Sequence, residues 1–166
     1  MTETSIVTKR HRITSGTLEL EFYWTGDRFA HRVRVAGSVA AQSVEGDCEI
    51  SDPPSPPMQE LHFQTVNGFE TLFGVGGSGR GRYSVVVTAV DAGFRFEWAV
   101  NGHVNVAALG NAYRVDRPLW LDFVDVAGAS ATLAQRQLNI RVEPSGGATR
   151  SWSYLIIPRS PLTGDQ

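Results

Sequence analysis

The sequence predicts an all-β domain: an antiparallel β-sandwich of about ten hairpin-linked strands, with an up-and-down, lipocalin-like β-barrel as the alternative closure. Three observations predict it. Apolar and polar residues alternate with a period of two, most clearly where Leu18, Leu20, Phe22 and Trp24 oppose Glu19, Glu21 and Tyr23. Turn dipeptides that tolerate positive φ, namely Gly26-Asp27, Asn67-Gly68 and Asn101-Gly102, separate the alternating runs. Folding the chain at Gly26-Asp27 sets Glu21 against Arg32 and Glu19 against Arg34, a charge match worth roughly 0.2–1 kcal/mol per pair.

The same fold-back pairs Trp24 with Phe29, Phe22 with His31, Leu20 with Val33 and Leu18 with Val35. A slip of one residue would destroy the apolar and the charged pattern together, so the register of this hairpin is specified, with one buried and one solvated face. Asn67-Gly68 joins the runs 59–66 and 69–75, and Asn101-Gly102 joins 94–100 to 103–109. Asp91-Ala92-Gly93 is a three-residue loop between 82–90 and 94–100. Val85 to Val90 are apolar on both faces, which places that strand at the centre of a sheet. Asp52 to Pro57 is too proline-rich for a central strand and is expected as a stiff connection between two strand groups. Gly74 to Gly81 is expected as a flexible loop. Residues 118–126 and 150–157 read as strands. Residues 127–142 are ambiguous: Ala127 to Leu138 fits a short helix, while Gln137 to Val142 alternates as a strand, the reading favoured there. Residues 1–157 are expected as one domain and 158–166 as a frayed tail.

Composition narrows the function classes. Seventeen acids against fifteen bases give a formal charge of −2, without the basic excess of a nucleic-acid binder. No apolar run approaches the ~20 residues of a membrane span, and the polar first residues lack a secretory signal core, so a soluble, cytoplasmic protein is expected. The fourteen Arg and single Lys read as the composition of a GC-rich genome. One cysteine, Cys48, excludes an internal disulfide framework, and its neighbours Asp47 and Glu49 disfavour a thiolate, so a buried structural role is expected.

The candidate ligand-binding residues are His31, Phe96, Trp98, His103 and Asn105. They are polar groups and rings that the proposed hairpins place on apolar faces, as in the wall of a small-molecule pocket. Arg80 and Arg82, with the amides of the glycine-rich segment, are a candidate anion-binding loop, although no Gly-Lys-Ser/Thr ending is present. Glu60 and His62 share one side of a strand, too few ligands for a metal, and no metal or cofactor is expected. Asp122 and Asp125 cannot share a face of a regular strand, and no Gly-x-Ser-x-Gly elbow occurs. Trp24, Trp98, Trp120 and Trp152 are more readily core filling than a sugar-stacking row. The leading expectation is a non-enzymatic protein that binds a small apolar or amphiphilic molecule. The alternatives are an interaction or assembly module working through sheet edges or a homo-oligomer interface, and an enzyme using Glu60, His62 and His103.

Overall fold

The first hairpin forms in the register that its side chains dictate. In the computed structural model, which describes residues 9–45, 53–79, 81–102, 104–144 and 149–160, strand β2 (Leu18–Trp24) pairs with β3 (Phe29–Val35). Trp24 faces Phe29, Phe22 faces His31, and Glu21 and Glu19 face Arg32 and Arg34. Strand β1 (Arg10–Ser15) adds Arg10 and Arg12 beside the same acids. Glu21 is thereby sealed from solvent on the face expected to be wet. Arg32 Nε lies 2.9 Å and Arg34 Nε 3.3 Å from its carboxylate, with Arg10 and Arg12 at 3.4 and 3.9 Å. The Arg32 hydrogen bond, helped by Arg34 and opposed by desolvation, holds the Glu21 pKa down at about 2.

The remaining strands are β4 (Ser38–Ser43), β5 (Glu60–Val66), β6 (Phe69–Ser78), β7 (Gly81–Val90), β8 (Gly93–Asn101), β9 (Gly110–Val115), β10 (Leu121–Ala127), β11 (Ala129–Ala134), β12 (Gln137–Val142) and β13 (Thr149–Pro158). They build two antiparallel sheets, ordered β1-β2-β3-β4-β9-β12-β11 and β10-β13-β8-β7-β6-β5. The sheets stack as a sandwich and do not close into a barrel. Inward-facing Leu20, Phe22, Val33, Tyr113 and Ile140 of one sheet meet Leu72, Val85, Val87, Phe94, Phe96, Trp98 and Tyr154 of the other in one core. Each such side chain contributes roughly 1.5–3 kcal/mol by leaving water. Strand β7 is central, as its two-sided apolar run requires.

Where the chain departs from the sequence expectation, local physics explains the difference. There are thirteen strands among the described residues, not about ten. The glycine-rich segment is largely the end of β6 paired with the start of β7, not a loop. Gly74 and Gly76 serve close packing there: a Cβ on Gly76 would lie 1.8 Å from the Pro57 carbonyl oxygen, and one on Gly74 2.9 Å from Met58 Sδ. Asn101-Gly102 does not close a hairpin. The chain leaves the second sheet there, makes a short 3-10 turn at Val106–Ala108 and enters the first sheet as β9. Residues 129–142 form a hairpin with no helix, turning at Gln135 and Arg136, both at positive φ. The Asp91 loop has two residues, because Gly93 already pairs with Val90 and is needed where a Cβ would meet the Ile156 oxygen at 2.0 Å. The proline-rich segment does cross between the sheets, from β4 to β5; Pro53 to Met58 are buried on the way. Pro158 belongs to β13, and Arg159 is pinned by Asp122 at 2.6 Å, so these first two residues of the expected tail are held by the fold. Cys48 and residues 161–166 lie outside the described residues.

Candidate functional site

Three of the sequence-predicted ligand residues are brought together, but in the sealed core. His31, Phe96 and Trp98 are each at most 2% exposed. His31 Nε2 lies 2.8 Å from Tyr113 Oη, which lies 2.6 Å from Tyr154 Oη, and Trp98 Nε1–H donates to Tyr154 Oη at 3.2 Å. Indole N–H can only donate. Each hydroxyl then gives and receives once if the chain runs Trp98 to Tyr154 to Tyr113 to a neutral His31. Burial enforces that neutrality by pushing the His31 pKa down to about 3. Burial likewise raises the Tyr113 and Tyr154 pKa values. A second bond ties the sheets together where Trp152 Nε1–H donates to Asn111 Oδ1 at 2.7 Å. These groups are a specifying polar network inside an aromatic core, with Phe96 stacked on Tyr154 at 5.0 Å and Trp98 on Trp152 at 6.0 Å.

The other candidates lie apart from that core. Asn105 is exposed and caps the 3-10 turn, its Oδ1 accepting from Ala107 N–H at 3.1 Å. His103 and Arg80 fall outside the described residues. Arg82 is exposed on β7 and lines an open groove of about 990 Å³ with Gln59, Glu60, Gly77, Tyr83 and Asn101. Glu60 and His62 are exposed on β5. Among the described residues no three His, Cys, Asp or Glu side chains gather as a metal would need, and no helix is long and apolar enough to cross a membrane. Trp120 is partly exposed beneath the Arg117 guanidinium, 4.9 Å from its ring, away from the buried Trp98 and Trp152.

The feature that the sequence reading weighed only in general terms is the set of four sheet edges. Natural edges are blunted by charge, bulges or cover, because bare N–H and C=O groups template further pairing. Edge strand β1 carries the exposed Arg10 and Arg12. Edge strand β10 has a register break between Val124 and Ala127, with Asp125 at positive φ. Edge strand β11 is uncharged but consists mainly of Ala, Ser and Thr. Among the described residues, strand β5 has neither a row of charges nor a bulge. Its sequence, Glu-Leu-His-Phe-Gln-Thr-Val, has one acid at its start and no lysine, arginine, proline or bulge opposite β6. All its residues are exposed except the half-buried Leu61.

The geometry of that edge follows from its turn. Asn67 and Gly68 have φ of 51° and 83°, a type I′ turn, which closes on the hydrogen-bonded pair Val66 and Phe69. Antiparallel alternation then commits Gln64 and His62 to β6 and points the main-chain N–H and C=O of Thr65, Phe63 and Leu61 away from it. Apolar side chains surround this edge: Phe63 is 38% exposed, Val66 36%, Phe69 42% and Val75 43%. The Phe63 ring is held at 4.7 Å against His11 of β1. A groove of about 460 Å³ runs between these two strands, lined by Arg10, His11, Arg12, Phe63, Thr65 and Glu70 among others. Fold and edge together define a class: among the described residues, a two-sheet antiparallel β-sandwich with one unprotected apolar edge. Comparison with family models, with curated proteins and with solved structures finds no match to this chain.

Proposed function

We propose that this chain is an interaction module that takes up an extended strand along β5. The observation that carries the reading is the row of outward main-chain groups at Leu61, Phe63 and Thr65, unguarded by charge and bordered by exposed Phe63, Val66, Phe69 and Val75. In strand addition, main-chain hydrogen bonds supply affinity and alternate side chains supply specificity. The incoming strand would place every second side chain beside Phe63 and the β1 groove. A fluorescein-labelled peptide with the sequence of residues 59–67 is a suitable strand donor. The full chain is expected to bind it, and Thr65→Pro to weaken binding at least tenfold by fluorescence anisotropy. Proline at this outward position removes a free N–H without touching the β6 ladder, so the fold is kept. Peptide binding that is absent, or unchanged in Thr65→Pro, would overturn the reading.

The groove beside Arg82 favours a second reading, binding of a small amphiphilic molecule. Val75, Tyr83 and Val100 give that groove apolar surface, and Glu60, Arg82 and Asn101 give it polar ends.

A further inference from the structure

We propose that the strand taken up by β5 is β5 of a second copy, paired antiparallel about Phe63 in a closed two-fold dimer; this rests on the strand-uptake reading above. The argument is one of self-complementarity. With Phe63 opposite its own equivalent, Leu61 faces Thr65 and Thr65 faces Leu61. The three residues with outward main-chain groups therefore meet three residues with outward main-chain groups, and each exchanges both bonds. A one-residue slip would set free groups against groups already committed to β6. A two-residue slip would leave one of the three unmatched.

The side chains agree with that register. On the core-side face Phe63 meets Phe63, an aromatic cross-strand pair, flanked by Leu61 against Thr65. On the other face His62 meets Gln64 and Glu60 meets Val66, so no like charges face each other. Pairing would join two six-stranded sheets into one continuous sheet. The two-fold operation uses up both copies of the edge and stops there, whereas β5 against β11 would be head-to-tail and open-ended. On the same side of the sandwich, Arg10 and Arg12 keep the edge of the other sheet charged, so pairing is confined to β5.

The register can be read by cross-linking. In a Cys48→Ser background, which removes the single native thiol, His62→Cys and Gln64→Cys chains are mixed in equal amounts and mildly oxidised. Both positions are exposed, so both variants keep the fold. Mass spectrometry is expected to find the mixed 62–64 disulfide in roughly nine-tenths or more of the linked dimers, because these residues face each other in the non-hydrogen-bonded pairs. Light scattering of the unmodified chain is expected to give twice the mass of one chain. A statistical half share of mixed disulfide, or a monomer without cross-links, overturns the dimer. If the labelled peptide still binds in a Thr65-dependent way, the edge reading stands and only the second copy fails. If peptide binding is also absent, both fail.

Discussion

Gly76→Ala is expected to destabilise the fold severely. The added Cβ would sit 1.8 Å from the Pro57 oxygen, 2.8 Å from its carbonyl carbon and 3.2 Å from Met58 Cα. All three are backbone atoms, so no rotamer change relieves the overlap. Either β6 or the buried proline-rich crossing must move, and the crossing is tied down on both sides. Phe29 N–H donates to Met58 O at 2.7 Å, and Ser55 Oγ donates to Ala112 O at 3.2 Å. A cost above about 4 kcal/mol is expected, a large part of the ~5–15 kcal/mol that stabilises a typical domain. Gly77→Ala is the control. Its Cβ would meet only the Gly81 oxygen at 3.4 Å, an ordinary contact, and the cost should stay within about 1 kcal/mol. Urea unfolding of the two variants checks this, and a Gly76→Ala midpoint equal to that of the parent would contradict the packing role. The crossing leads directly into β5, so Gly76 also fixes where the open edge begins.

The pH dependence of stability should show a plateau with two losses, and Glu45→Gln should remove one of them. His31 titrates at 6.5 when unfolded and at about 3 in the core. As pH falls the unfolded chain takes this proton first, so the contribution of His31 is complete above pH 6.5 and is lost below it, at about 1.4 kcal/mol per pH unit. Glu45 runs the other way. Burial, outweighing the Ser43 hydrogen bond and the attraction of Arg28, raises its pKa from 4.5 to about 7, and Asp27 adds to the rise. Its Oε2 is buried without a hydrogen-bond partner among the described residues. The folded chain therefore keeps a proton that the unfolded chain has lost, and this contribution is complete below pH 4.5 and gone by about pH 7. Between pH 4.5 and 6.5 the two slopes cancel. Below 4.5 the Glu45 slope ends, and Glu21, whose pKa Arg32 holds at about 2, joins His31, so stability falls steeply. Glu45→Gln is expected to gain about 2–3 kcal/mol at pH 8 and nothing at pH 4, by urea unfolding at each pH. A variant no more stable than the parent at pH 8 would contradict the buried carboxyl.

What the sequence made legible, and what it hid, follows from the range of the interactions involved. The β2–β3 register was readable because charge and apolarity alternate there and meet across a short turn. Asn67-Gly68 was readable because two adjacent positive φ values need such residues. The β11–β12 hairpin was hidden because Gln135 and Arg136 adopt the same conformation without the usual residues, held by pairing on both sides. Asn101-Gly102 misled because a turn dipeptide does not say which sheet the next strand joins. Gly76 misled because its reason is Pro57, nineteen positions earlier in the chain and touching it only in the fold. His31, Phe96 and Trp98 were correctly placed on inward faces. Their bonding to Tyr113 and Tyr154 depends on strands far away in sequence. The open edge was invisible for the same reason: which strands end a sheet is a property of strand order, which alternation does not encode.

Amide hydrogen exchange along β5, followed as a function of protein concentration, tests the central claim most directly. At low concentration Gln64 and His62, bonded to β6, should exchange slowly, and Leu61, Phe63 and Thr65 should exchange fast. As concentration rises, the three fast amides should become protected together while the other two stay unchanged. Fast exchange of Leu61, Phe63 and Thr65 at every concentration would contradict uptake of a second copy, and protection of all three already at high dilution would contradict an open, strand-accepting edge.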